Sequence, residues 1–194
     1  MQVARALLRQ HGEAKARRAT AAVVIRPPVA DDAAAFVAAV RRSRALHRPW
    51  TAPPDTPEKY LAWLERMTGP ANHPFLVCRR DNGEIAGVVS LSNVVLGLFR
   101  SGYLGYYAFA GHERQGLMRA GLLAVVRHAF TTLKLHRVEA NIQPGNAASI
   151  ALARSCGFAR EGFSPRYLKI GGRWRDHERW AMLAETWRAR RSAH

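Results

Sequence analysis

The apolar positions of the chain change period along its length, and each change marks an element. Ala22-Val23-Val24-Ile25-Arg26 is a short, largely apolar run ended by Pro27-Pro28, which predicts an opening strand. Asp31 is a good N-cap for an Ala-rich helix reaching about Leu46, where His47-Arg48-Pro49-Trp50 breaks it. A second helix starts near Pro57, a favoured first-turn proline, and runs through Tyr60, Leu61, Trp63 and Leu64 to a stop at Gly69-Pro70. Phe75-Leu76-Val77-Cys78 and Ile85–Leu91 then flank Asp81-Asn82-Gly83, a hairpin signal. A third strand of this group covers about Tyr103–Phe109. Leu117, Leu122, Val125, Val126, Ala129, Phe130 and Leu133 return to helical spacing. A strand over Arg137–Gln143 and a helix from Asn146 to Ser155, stopped by Gly157, follow. Two long strands joined at Gly171-Gly172 close the pattern.

The resulting order, β-α-α-β-β-β-α-β-α-β-β, predicts an α+β (mixed α/β) domain with one central sheet. A doubly wound nucleotide fold would alternate βαβ throughout. Residues 1–21 are Ala- and Arg-rich without a strand pattern and read as a basic extension outside the fold. The folded domain is expected over 22–187, with a basic tail at 188–194.

Composition narrows the picture modestly. The chain of 194 residues fits one domain with a real core. No run of 18 consecutive apolar residues exists, so no transmembrane helix is expected. Arg5, Arg9, Lys15, Arg17 and Arg18 interrupt anything resembling a secretory signal, and two cysteines, Cys78 and Cys156, make no disulfide framework. A cytoplasmic protein is expected. Thirty Lys and Arg against fourteen Asp and Glu give +16, which invites a polyanion: RNA, a ribosome or a phosphate-rich cofactor. Arg-rich coding bias produces the same excess, so charge alone names no function.

Chemistry enters at the strand-to-helix turn Glu113-Arg114-Gln115-Gly116-Leu117-Met118. The first N–H groups of a helix lack internal partners and carry partial positive charge, which makes them an anion site. Gly116 admits a phosphate close to the backbone, and Arg114 and Arg119 add cations. The turn is neither a P-loop nor a dinucleotide fingerprint, and a glycine at such a turn has an ordinary structural reading too.

Downstream, His136-Arg137, Asn146-Ala147-Ala148-Ser149, Gly157-Phe158 and Trp174-Arg175-Asp176-His177 stand in order with Gly116-Leu117-Met118. With these residues the sequence resembles the GNAT acetyltransferase superfamily over about residues 22–187, and looks most like its RimJ/RimL branch, which acetylates N-terminal amines of ribosomal proteins. The resemblance implies a mostly antiparallel central sheet with one splayed parallel pair, flanked by about four helices. It implies acetyl-CoA as cofactor and an amine attacking the thioester directly; no metal is implied.

Further implications are residue-specific. The cofactor would meet Phe109, Arg114, Gln115, Gly116, Leu117, Met118, Arg119, Asn146, Ser149 and Arg154. Backbone N–H near Ala108–Ala110 would polarise the carbonyl. Ser149 is the candidate to bond or protonate the sulfur, although a second capping hydroxyl is its plain alternative. Glu139, Asn141 and Gln143 share a strand face; Glu139 could act as base, directly or through water, or form a structural ion pair. Asn141 belongs with these catalytic candidates. His177 reads first as a hairpin-ordering residue, and Trp50 as a better acceptor contact than Tyr60 or Trp63. Departures from the family pattern are Glu113 at the turn, expected to point away toward Arg114, Arg114 where glycine is common, and Ala153 where some members carry a tyrosine acid. The implied acceptor is a protein N-terminus, plausibly ribosomal, with attraction to RNA or the ribosome, no membrane contact and a monomeric or homodimeric state. A small amine, or a nucleic-acid-binding role on the same scaffold, are the alternatives.

Overall fold

The computed structural model describes residues 22–192; the basic extension, 1–21, and residues 193–194 lie outside them. Seven strands form one sheet in the order β1-β2-β3-β4-β5-β7-β6. They are β1 Val23–Arg26, β2 His73–Arg79, β3 Ile85–Val95, β4 Ser101–Ala108, β5 Arg137–Ile142, β6 Ala159–Ile170 and β7 Arg173–Leu183. Every neighbouring pair is antiparallel except β4 and β5. The helices are α1 Ala33–Arg42, α2 Arg44–His47, α3 Pro57–Arg66, α4 Leu117–Thr131, α5 Ala147–Cys156 and α6 Ala184–Ser192.

Strand alternation divides the buried residues between two faces. Phe75, Val77, Val89 and Leu91 share a core with Leu122, Val125, Val126 and Phe130 of α4. Leu76, Cys78 and Val88 share the other with Phe36 and Val40 of α1 and Tyr60 of α3. Burying a side chain such as Leu122 contributes roughly 1.5–3 kcal/mol. Helix α4 lies so close to β2 that a Cβ on Gly121 would stand 2.5 Å from Val77 Cγ2.

The turns obey their sequences. Gly83, at φ +75°, closes the β2–β3 hairpin, and Gly171 and Gly172, at +57° and +80°, close β6–β7. Helix α3 has Pro57 in its first turn, and Thr56 caps it by accepting from the Lys59 N–H.

Three expectations need correction. The first helix is not continuous to Leu46. Ser43 interrupts it with φ −99° and ψ 9°, because its hydroxyl donates to the Ala39 carbonyl at 2.6 Å and accepts from the Ala110 N–H at 2.8 Å. Asp32, not Asp31, anchors the start, accepting from the Val29 N–H and pairing with Arg26 at 2.5 Å. The chain also continues past β7 as helix α6, which the apolar pattern misses: Ala184 and Trp187 give it its inward face, Trp187 tilted against Phe130 at 5.5 Å.

One feature of the sheet positions the site. Parallel pairing of β4 with β5 covers only Ser101↔Arg137, Gly102↔Val138 and Tyr103↔Glu139. Both strands run on, to Ala108 and Ile142, without pairing.

Candidate active site

The gap between β4 and β5 opens into a cavity of about 730 Å³. The N-terminal ends of α4 and α5, the end of α2 and the β6–β7 hairpin complete its walls.

The turn before α4 supplies the first wall. Arg114 and Gly116 both adopt left-handed backbone, φ +59° and +79°. Glycine takes this conformation without steric penalty, whereas arginine does so at some cost. This explains physically why glycine suits the position Arg114 holds. The first α4 backbone bond runs from the Ala120 N–H to the Gly116 carbonyl at 3.0 Å, so Leu117, Met118 and Arg119 have no helical acceptor for their N–H groups. Gly116, Leu117, Met118, Arg119 and Arg114 all line the cavity. Met118 fits because Gly87 leaves room; a Cβ there would fall 2.4 Å from its sulfur. The Gln115 side chain turns away, accepting from Arg79 and donating to the Gly111 carbonyl. Glu113 does not meet Arg114. Its carboxylate accepts from the Gly111 N–H at 2.8 Å and folds the loop on itself.

The edge of β4 supplies the second wall. The Phe109 N–H bonds Ala86 at 2.8 Å, so alternation turns the polar backbone of Leu104, Tyr106 and Ala108 toward β5. Beyond Tyr103, β5 does not pair with them. The Ala110 N–H is taken by Ser43 and that of Phe109 by Ala86, which narrows the expected carbonyl-polarising donor to Ala108. The Ala108 carbonyl accepts from His47 Nε2 at 2.8 Å. Phe109 itself faces the second core, 1% exposed and edge-on to Phe36, and does not reach the cavity. Its assignment to cofactor contact is therefore corrected.

Across the gap, Asn141 Oδ1 is buried without a hydrogen-bond partner among the described residues. Asn146 caps α5 by accepting from the Ser149 N–H at 3.1 Å. Ser149 lines the cavity, its carbonyl accepts from the Tyr106 hydroxyl, and its own hydroxyl makes no hydrogen bond among the described residues. Burial pushes the Tyr106 and Tyr107 hydroxyls well above the ordinary phenol range.

Two further assignments change. Glu139 is an ion-pair residue. Arg137 Nε holds it at 2.8 Å while the other end of the guanidinium holds Glu161. It stands where β5 still pairs with β4, before the gap, and does not line the cavity. Arg154 lies over the Trp180 indole, 5.3 Å from the ring centroid, outside the cavity wall.

The remaining wall was the least visible in sequence. Leu46, His47, Trp50 and Thr51 approach from α2 and the loop after it, and Leu168, Ile170 and His177 from the hairpin. Trp50 lines the cavity, its carbonyl held by Gln143, while Tyr60 and Trp63 belong to the second core. The sequence offered His47 only as part of a helix-breaking stretch. Burial pushes its imidazole below the ordinary value, partly offset by the bond to Ala108.

An α4 N-terminus with free donors, an open strand edge and an orphaned Asn141 oxygen together suit a ligand that carries phosphate at one end and amides along its length. Residues 22–159 match the Acetyltransferase (GNAT) domain family. The chain belongs to the GNAT acetyltransferases. It is 33% identical over 126 residues to the probable N-acetyltransferase YjcK of Bacillus subtilis (strain 168), covering 65% of this chain and 70% of that one. It is 41% identical over 107 residues to the ribosomal protein uS5-alanine N-acetyltransferase of Escherichia coli (strain K12), spanning 55% of each chain. The fold matches Mycobacterium smegmatis RimJ in complex with CoA-disulfide with a TM-score of 0.78 and 30% identity, covering 84% of this chain and 83% of that one. The chain is thus a GNAT N-acetyltransferase, a family whose members bind CoA or acetyl-CoA.

Proposed function

We propose that this acetyltransferase acts on the α-amine of a protein N-terminus, with a small first residue such as Ala or Ser. The lining of the acceptor wall carries this reading. Leu46, Trp50, Leu168 and Ile170 are apolar, and Glu113, the carboxylate of the cavity lining, is committed to the Gly111 N–H at the phosphate end. A polycationic amine has no acid to meet there. An α-amine needs little help: neutralising it at pH 7 costs roughly 1 kcal/mol, against roughly 4.6 kcal/mol for a lysine side chain. The charge of +16 favours an acceptor held near a polyanion, which a ribosomal protein is. The relative that acetylates uS5 alanine supports the same choice.

In this reading the free N–H groups of Leu117, Met118 and Arg119, with Arg114 and Arg119 beside them, hold the pyrophosphate. The β4 edge and Asn141 pair with the pantetheine amides, and the Ala108 N–H polarises the acetyl carbonyl. The acetyl-CoA thioester supplies an activated acyl carbon. Ser149 Oγ stands ready to deliver a proton to the departing sulfur.

The test is acetyl transfer, followed by mass, to peptides beginning Ala, Ser or Met and to N-blocked peptides with internal lysine. Acetylation of free N-termini, with Ala and Ser preferred, is expected. Turnover confined to the lysine peptides contradicts the reading.

A further inference from the structure

With Glu139 locked to Arg137, the cavity needs another group to take the proton of the acceptor. The candidates lining it can be sorted by their partners. Tyr106 gives its proton to the Ser149 carbonyl, and burial keeps both Tyr106 and Tyr107 protonated. Glu113 is folded onto Gly111. His112 sits in the same loop, between Gly111 and Glu113, at the phosphate end. His47 spends Nε2 on the Ala108 carbonyl, and its Nδ1 is sealed in the fold without a partner.

His177 differs from all of these. It lines the cavity at 3% exposure, one residue past the last β7 residue that pairs with β5. Its Nδ1 lies 2.9 Å from the Arg175 carbonyl. A carbonyl only accepts, so Nδ1 carries the hydrogen and the neutral ring presents Nε2 as a bare lone pair. Nε2 makes no hydrogen bond among the described residues. The ring is fixed further by Tyr167 of β6, edge-on at 6.0 Å. Nearby carboxylates are spent elsewhere: Asp176 on the Arg166 N–H, Glu178 on Arg160 and the Trp180 indole N–H, and Glu161 on Arg137. Arg175 and Arg179 stand two residues to either side of it on the same strand.

We propose that His177 Nε2 is the group that accepts the proton of the acceptor ammonium, an inference that rests on the α-amine reading. Nε2 takes one proton from the ammonium and becomes imidazolium. The freed nitrogen lone pair forms the bond to the acetyl carbon, and the carbon–sulfur bond breaks with its electron pair on sulfur. The second proton lost by nitrogen reaches the sulfur through Ser149 Oγ, and His177 releases its proton to solvent. Atoms and charge balance with amide, thiol and one proton as products.

His177→Asn keeps a donor at the Nδ1 position, and thus the bond to Arg175, while deleting Nε2. On an Ala-initial peptide we expect kcat/KM near pH 7 to fall about 10- to 100-fold. The loss should shrink toward pH 9, because the rising limb of the profile moves to the pKa of the amine itself. Stabilisation of the variant by acetyl-CoA should match the wild type, and imidazole in the buffer should restore part of the rate. A readout independent of turnover is heteronuclear NMR of the imidazoles, expected to show Nε2 of His177 as the unprotonated nitrogen at pH 8. An active wild type whose pH profile is unchanged by His177→Asn, or an Nε2–H tautomer, overturns this inference alone. A wild type that binds acetyl-CoA but leaves every free N-terminus unmodified overturns the α-amine reading, and the inference with it.

Discussion

At the α4 end of the cleft, the lining comes from one short turn and the helix it opens, whose first N–H groups lack helical acceptors. At the opposite end it comes from α2, the loop after it and the β6–β7 hairpin, separated by more than a hundred positions in the chain. The first end presents left-handed φ angles and unpaired donors; Arg114 stands in left-handed backbone where glycine suits better. The second works through which side chain is spent on what. His47 and Ser43 clip the end of β4 by taking the Ala108 carbonyl and the Ala110 N–H, which leaves the Ala108 N–H and His177 to meet ligands. In the proposed reading, binding of a common cofactor is carried by geometry, and choice of acceptor by chemistry.

The sharpest way to break this division is Ser149→Ala. It should lower kcat about 100-fold with acetyl-CoA affinity unchanged; a loss expressed as affinity would make Ser149 a binding residue. Gly116→Val should do the opposite. A β-branched residue at φ +79° is strained by about 1–3 kcal/mol and brings a Cβ to the phosphate site, so acetyl-CoA affinity should fall at least about tenfold with acceptor preference intact. His47→Gln tests the clip through pH. Burial depresses the His47 pKa below 6.5, so the unfolded chain gains a proton that the fold refuses. Stability is therefore full above pH 6.5 and declines as pH falls below it, by at most about 1.4 kcal/mol per pH unit. Denaturant unfolding of the variant should lack that slope. Asn146→Ala removes a cap that accepts from the Ser149 N–H, which should cost about 1 kcal/mol and lower Tm by about 2–4 °C. The smallest effect belongs to Glu139→Gln, which should leave kcat/KM unchanged; a large loss would return Glu139 to the chemistry.

The same division decides what sequence could reveal. Period-2 and period-3.6 patterns mark the strands and α4 because each buries one face on a core. The turn at Gly116 and the Asn146 cap are legible because local backbone chemistry demands those residue types. Helix α6 escapes because its polar sequence turns Ala184 and Trp187 inward and carries no longer apolar stripe. Glu139 and Asn141 share a strand face, yet only Asn141 reaches the cavity, because the strands part between them. Phe109 lies one residue beyond the β4 edge and so turns to the opposite core. No sequence period encodes where a parallel pair separates, and none reports that His47 will be spent on Ala108 while His177 keeps a free nitrogen.

The central claim is that the gap between β4 and β5, with the α4 N-terminus at its end, is the acetyl-CoA site. Thermal unfolding with and without acetyl-CoA, in the wild type and in Gly116→Val, tests it most directly. At one hundred times Kd, binding to the folded state alone should add about 2.7 kcal/mol, a rise in Tm of about 5–10 °C, of which Gly116→Val loses about half or more at the same concentration. An unchanged Tm at saturating acetyl-CoA, or an equal rise in the variant, would contradict it.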